Sequence, residues 1–325
     1  VSVAFGGYMS GLVPGLPSWV TVTGILLLLA VINFRGMRES STTNIVATMV
    51  ELTGLLIVIV AGALFLVERP DPEIPRTIAI SSNVGWRAIA SGAALSFFAF
   101  IGFEDMVNVA EEVKDPERNM PRAILTALGV TGVVYLLVVL VATSVVPPES
   151  LAASKAPLLA VVQRSTDIIP DRLFTLIALF AVANTGLLNF IMGSRLIYGM
   201  ARQGLLPSAL GRVHATRRTP HLAIITVLLV ALALALSGTL TYLAGTTSLL
   251  LLLVFFTLHL ALIAIKRRDA RRPRTFCAPH LVPFVGALTC LALMPFVPRG
   301  SLVTAAMILA LGSGIVWLRA RRSSG

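Results

Sequence analysis

The chain has 325 residues, 56% of them hydrophobic and only 13% charged, with a net charge of +11 and a mean hydropathy of +0.90. A soluble domain carries about 25% charged residues, so this composition excludes a water-soluble globular protein and points to an integral membrane protein. The excess of Lys and Arg sits in short connectors between apolar runs rather than on one basic face, which argues against a nucleic-acid partner and for membrane topology.

Crossing about 30 Å of hydrocarbon takes roughly 20 apolar residues. Each such run reads as a helix, because an isolated strand leaves its backbone unsatisfied in lipid. Val1 to Val13 is apolar but too short to span. Nine complete spans follow, at about 18–34, 44–67, 88–110, 122–146, 172–199, 220–237, 239–265, 280–298 and 301–318.

Within the second span lies Glu51, in TMVELTGLL. Removing a carboxylate from water favours its neutral form, so a buried Glu is a candidate carrier of a proton. The alternative is that Glu51, two turns from the span's start near Asn44, reaches the interface and does nothing.

The third span contains FFAFIGFEDMVNVAEEV, residues 97–113, in which Gly102 follows three aromatics and is followed at once by Phe103, Glu104 and Asp105. Continuous helix is not expected there. Glu104, Asn108, Glu111 and Glu112 recur at helical spacing, as a polar stripe descending to one membrane surface. Glu111 and Glu112 belong in interfacial water with Lys114, whereas Glu104 lies deeper, where an ionised carboxylate costs several kcal/mol unless paired. The next connector, KDPERNMPR, reads as a short helical linker with Pro116 at its start. Between the fourth and fifth spans, PPESLAASKAPLLAVVQRSTDIIPD reads as a short amphipathic helix over the outer mouth.

The fifth span holds Asn184, Thr185 and Asn189. Polar residues of this kind in a membrane often bridge neighbouring helices, for about 0.6–2 kcal/mol. Cys277 and Cys290 are about 20 Å apart along regular helix, too far for a disulfide. No His and Cys cluster has metal-ligand spacing, and no phosphate loop or nucleophile elbow occurs, so neither metal, cofactor nor enzyme activity is expected.

Lys and Arg set the orientation. The connectors after the first, third, fifth, seventh and ninth spans hold eighteen, and the alternate connectors seven. The first set is cytoplasmic by the positive-inside rule, and so is the C-terminus. The first complete span then runs inward, which leaves the chain starting on the wrong side. The expectation is a fragment that lacks its first helices, with a cleaved or short form as the alternative.

Three stretches carry a resemblance. FFAFIGFEDMVNVAEEVKDPERNMPRAI resembles the signature of the amino acid–polyamine–organocation permeases, INFRGMRES resembles the family's exit from its fourth helix, and NTGLLNFIMGSRLIYGMARQGLLP its eighth. The resemblance runs from residue 1 to about 318. It implies an all-α membrane transporter of LeuT type, with two inverted five-helix repeats and two trailing helices, lacking helices one, two and most of three. Residues 1–67 would be the remainder of the first repeat, 88–265 the complete second and 280–318 the trailing pair, all within one permease domain over 1–325.

What the family does implies the site. Substrate would rest against Phe98 to Gly102, with the carbonyls of Ala99, Phe100 and Ile101 meeting an ammonium, Phe98 and Phe103 as apolar walls and Glu104 beside them. Glu51, Asn184 and Thr185 would form the coupling-ion position. Some relatives place a basic residue where Glu51 stands, so the charge here is reversed. The implied function is secondary transport of amino acids or related amines across the cell membrane, by alternating access with proton symport or exchange. Partners would be the small-molecule substrate, a coupling proton or counter-substrate, and the lipid bilayer. Without the first helix, which holds the other half of the family's site, the chain by itself is expected to insert but to stay inactive. A non-transporting sensor or scaffold that keeps the permease fold is the alternative.

Overall fold

An apolar segment in lipid must hydrogen-bond its own backbone, and helix lets each segment do so alone. The computed structural model describes residues 1–36, 41–68, 85–104, 106–107, 113–268 and 278–323, and no strand occurs among them. The helices are α1 (Ser2–Leu12), α2 (Ser18–Arg35), α3 (Ser41–Glu68), α4 (Trp86–Ser96), α5 (Pro116–Val145), α6 (Pro148–Ala153), α7 (Pro157–Ser165), α8 (Asp171–Arg202), α9 (His221–Ser237), α10 (Leu240–Arg268), α11 (Leu281–Leu293) and α12 (Arg299–Ser323).

Helix lies at each of the nine expected spans, but not always at full length. Ser18–Arg35, Ile45–Glu68, Pro116–Val145, Asp171–Arg202 and Leu240–Arg268 are long and apolar enough to cross by themselves. Trp86–Phe100 and His221–Ser237 are shorter. The last two expected spans form a pair, Leu281–Phe296 and Arg299–Gly314, bent by 115°. The bend falls at Val297, which is extended at φ −69° and ψ 145°, as a residue before proline must be when Pro298 crowds the helical region. Among the described residues, five helices are long and apolar enough to cross alone, or six crossings if the bent pair is one broken span.

Two connectors differ from expectation. KDPERNMPR is helical from Pro116 as expected, but that helix is α5 itself, which runs on through Pro121 into the span. The outer connector folds as two helices, α6 and α7, and α7 is part of a core, with Val161 and Val162 fully buried.

The chain gathers into two compact units. The first comprises Val1–Ile80, Val134–Thr239 and Ile315–Gly325. One of its cores is a stripe on α2, Val22, Ile25, Leu26, Leu29 and Ala30, packed on Phe190 of α8 and Ile224 of α9. These α2 positions recur at i, i+3, i+4, i+7 and i+8, one face of a helix. Asn33 extends that face. Its amide donates to Ser194 Oγ at 3.1 Å and to the Phe190 carbonyl at 3.4 Å, which ties α2 to α8 where no water competes. The second core joins Val58 of α3, Val141, Ala142 and Val145 of α5, Val161 and Val162 of α7, and Phe174 of α8. Here Gly62 lets α3 approach α5, since a Cβ on it would stand 2.1 Å from Val141 Cγ1.

Ser81–Val133 and Leu240–Gly314 make the second unit. α10 and α11 form its hairpin, and Gly286 faces His259 so closely that a Cβ would stand 2.4 Å from Nε2. Ser301 Oγ donates to the Tyr242 carbonyl at 3.0 Å. Ser91 Oγ donates to the Phe296 carbonyl at 3.0 Å, and the Trp86 ring meets Phe296 edge-on at 5.1 Å. Those two contacts tie α4 to the turn after α11.

Replacing Gly62 by Ala should destabilise the protein by about 1–3 kcal/mol through overpacking, read as a lowered Tm in detergent. The added change Val141→Ala should restore most of that loss. A double variant no more stable than Gly62→Ala alone would show that this contact does not set the α3–α5 distance.

Candidate functional site

The helix that begins at Trp86 stops being α-helical at Ser96, and Phe97–Phe100 continues as a tighter 3-10 turn. Ile101 is then extended at φ −64° and ψ 135°. Gly102 has φ +125°, a conformation that a side chain makes costly. The interruption expected at Gly102 is therefore present. Its N–H is taken by the Glu104 carboxylate, Oε2 at 2.8 Å, so a side chain does what the helix ladder does elsewhere.

Ala99 and Gly102 are exposed, whereas Phe98, Phe100, Ile101, Phe103 and Glu104 are half-buried. The Phe103 ring stacks on Phe255 of α10 at 5.6 Å, and Phe97 meets the same ring edge-on at 6.0 Å. Phe100 packs towards Gly132 of α5, whose missing side chain leaves room for the ring edge at 3.8 Å from a built Cβ. Reasoning from sequence missed Phe255. The adjacent pair in LVFFTL was the available signal, but nothing local says which helix such a ring faces. Of the proposed polar stripe, Glu104 lies in a 3-10 turn, while Asn108, Glu111 and Glu112, like Asp105 beside it, lie outside the described residues.

A second polar cluster belongs to the first unit. Asn184 of α8 donates from Nδ2 to Glu51 Oε1 of α3 at 2.8 Å, and both are half-buried. Glu51 therefore has a partner within the helix bundle. The Tyr135 hydroxyl of α5 lies within electrostatic reach of Glu51, and it too escaped sequence reasoning, being one Tyr in a long apolar run. Thr185 is exposed, because one residue turns a helix by about 100°. The structure thus brings together Glu51 and Asn184 of the expected coupling-ion group and leaves Thr185 on an adjoining face.

In chemical terms, the break offers backbone polar groups and a carboxylate beside aromatic faces, a combination that suits a cation with an apolar part. The Glu51–Asn184 pair offers a carboxylate held by a neutral amide donor.

An amino acid permease family profile matches residues 1–318. The chain is 29% identical over 320 residues to a methylthioribose transporter of Bacillus subtilis, covering 98% of this chain and 67% of the relative. It is 27% identical over 312 residues to the branched-chain amino acid permease BcaP of the same organism, covering 95% and 64%. The low-affinity putrescine importer PlaP of Escherichia coli is 27% identical over 321 residues, covering 94% and 69%. The chain thus spans about two thirds of the length of these curated relatives.

Gly102→Ala should cost about 1–3 kcal/mol, because alanine rarely adopts that φ. Gly92→Ala, in the helical part of α4 with open space around it, should instead leave the protein unchanged or stabilise it by up to about 1 kcal/mol. Thermal melts of both variants in one detergent test the contrast, and equal shifts would mean that the break is not held in the conformation described.

Proposed function

This chain belongs to the amino acid permease family, and on that premise we propose that it works as a secondary active transporter of amino acids or related amines across the cell membrane. The observation that carries this reading is the break between Phe97 and Gly102. Irregular backbone at membrane depth survives only where it lines a cavity or is buried in protein, and transporters use such breaks to present helix ends to a substrate.

The substrate ammonium is met by the carbonyls of Ala99, Phe100 and Ile101. Phe98 and Phe103 wall its apolar part, and a cation against such a face gains about 0.5–2 kcal/mol. Glu104 has two tasks. It holds Gly102 in place through the hydrogen bond at 2.8 Å, and it adds negative potential where the ammonium arrives.

Glu51 carries the coupling proton. Asn184 holds its carboxylate when ionised, and protonation weakens that bond and frees the carboxyl to follow a change in packing between α3 and α8. Thr185, exposed beside Asn184, is the further ligand on the coupling-ion path. The cycle is alternating access between two inverted repeats, to which 1–67, as the remainder of the first, and 88–265, as the second, belong, run as proton symport or as exchange for a second amine, with the C-terminus in the cytoplasm as the connector charges favour. Two relatives are named for branched-chain amino acids and for putrescine, compounds that share an ammonium and differ in what surrounds it. The shared ammonium suits recognition by backbone carbonyls, and the methylthioribose for which a third relative is named, having no ammonium, suits the aromatic walls.

Reconstituted into vesicles, the full-length gene product should take up radiolabelled leucine or putrescine saturably. No uptake of any amino acid or amine by correctly inserted protein would overturn the reading. Coupling has its own readout. Uptake should rise as external pH falls, and Glu51→Gln should flatten that profile at least several-fold while keeping substrate binding. An unchanged profile would remove Glu51 from the coupling path.

A further inference from the structure

We propose that the groove between α10 and α11 is a binding site for an anionic phospholipid, with Arg267 on the headgroup phosphate and one acyl chain along the groove. The groove has a volume of about 470 Å³ and is lined by Phe256, Leu260 and Ile263 of α10 and Phe284 and Leu288 of α11, with Arg267 at one end. The α10 positions recur at i, i+4, i+7 and i+11, so they follow one helical face. Eleven residues separate Phe256 from Arg267, a rise of about 16 Å, which is about half of the 30 Å hydrocarbon thickness. The groove is therefore one leaflet deep. A partner helix would call for an apolar seam across the whole bilayer, whereas an acyl chain ends at the midplane.

Charge selects the headgroup. The last turn of α10 holds Lys266, Arg267 and Arg268, and all three complement the carbonyl end of the helix. Lys266 is buried, with its ammonium on the Ala278 carbonyl, so it closes the hairpin and is withdrawn from the surface. Arg267 is exposed and is the basic residue among the described residues that line the groove. Its planar guanidinium fits two phosphate oxygens at once.

The first unit supplies a contrast. A cavity of about 480 Å³ is similarly lined by Leu56, Val60 and Leu64 of α3, but its polar lining is Thr53, Glu68, Ser165 and Thr166. It has the same apolar character and the opposite charge. An alkyl chain alone would enter either groove, and only the one with Arg267 attracts an anionic head.

Native mass spectrometry of the purified protein, titrated with phosphatidylglycerol or with phosphatidylcholine of the same chains, tests the site. A basic residue at the surface is worth about a five-fold preference for an anionic lipid. Wild type should retain phosphatidylglycerol about five-fold over phosphatidylcholine, Arg267→Gln should reduce it to the phosphatidylcholine level, and Arg267→Lys should keep part of the preference. Leu288→Trp, which fills the groove, should lower retention of both lipids, while Glu68→Gln should change neither. Equal retention of the two lipids by wild type, or an unaltered preference in folded Arg267→Gln, would overturn the proposal. Should Arg267→Gln fail to fold, Leu288→Trp decides, and full phosphatidylglycerol retention by it would overturn the proposal equally.

Discussion

Every backbone N–H and C=O inside a bilayer must find a partner within the protein, because hydrocarbon offers none and each unpaired group costs several kcal/mol. That constraint forces the long helices, and it makes the places where helix stops informative. At Gly102 the ladder is interrupted, and the Glu104 carboxylate takes up the freed N–H. At Val297 the chain turns because Pro298 has no N–H to give and pushes its neighbour out of the helical region. The first interruption exposes polar backbone beside aromatic rings, and the second reverses the chain.

Because the same hydrocarbon surrounds the outside of each helix, apolar burial gives little reason for helices to choose one another. Fit and scattered polar bonds make the choice instead. Gly62 and Gly286 bring backbones close. Asn33 binds across to α8 through Ser194, and Glu51 is held from the same helix by Asn184. α8 therefore serves as a post to which α2 and α3 are each fastened by a polar contact.

Much of this was legible in order of residues alone. The spacing of apolar runs located the helices, and a glycine after three aromatics and before an acid located the break. The fate of short elements was less legible. His221–Ser237 and Trp86–Phe100 look like spans in hydropathy but fall short in length, since hydropathy averages over a window and does not see where the dihedral angles change. α7 read as a surface helix, yet its Val161 and Val162 are fully buried. Its apolar face has a neighbour only because α3, α5 and α8 converge there, and no local pattern contains that information.

The sequence by itself determined the membrane environment, the helical class and the position of the break, because hydropathy, backbone satisfaction and glycine's freedom at positive φ are properties of short stretches. Family membership was likewise carried by local motifs and agrees with a match over residues 1–318. The tertiary structure decided which residues meet. Phe255 against Phe97 and Phe103, Asn184 on Glu51, and Arg267 at the mouth of a groove all pair residues from separate helices. Their separation in sequence bears no relation to their distance in space, and a helix displays its side chains around a full turn. Only the packing of neighbouring helices selects the face that each one presents.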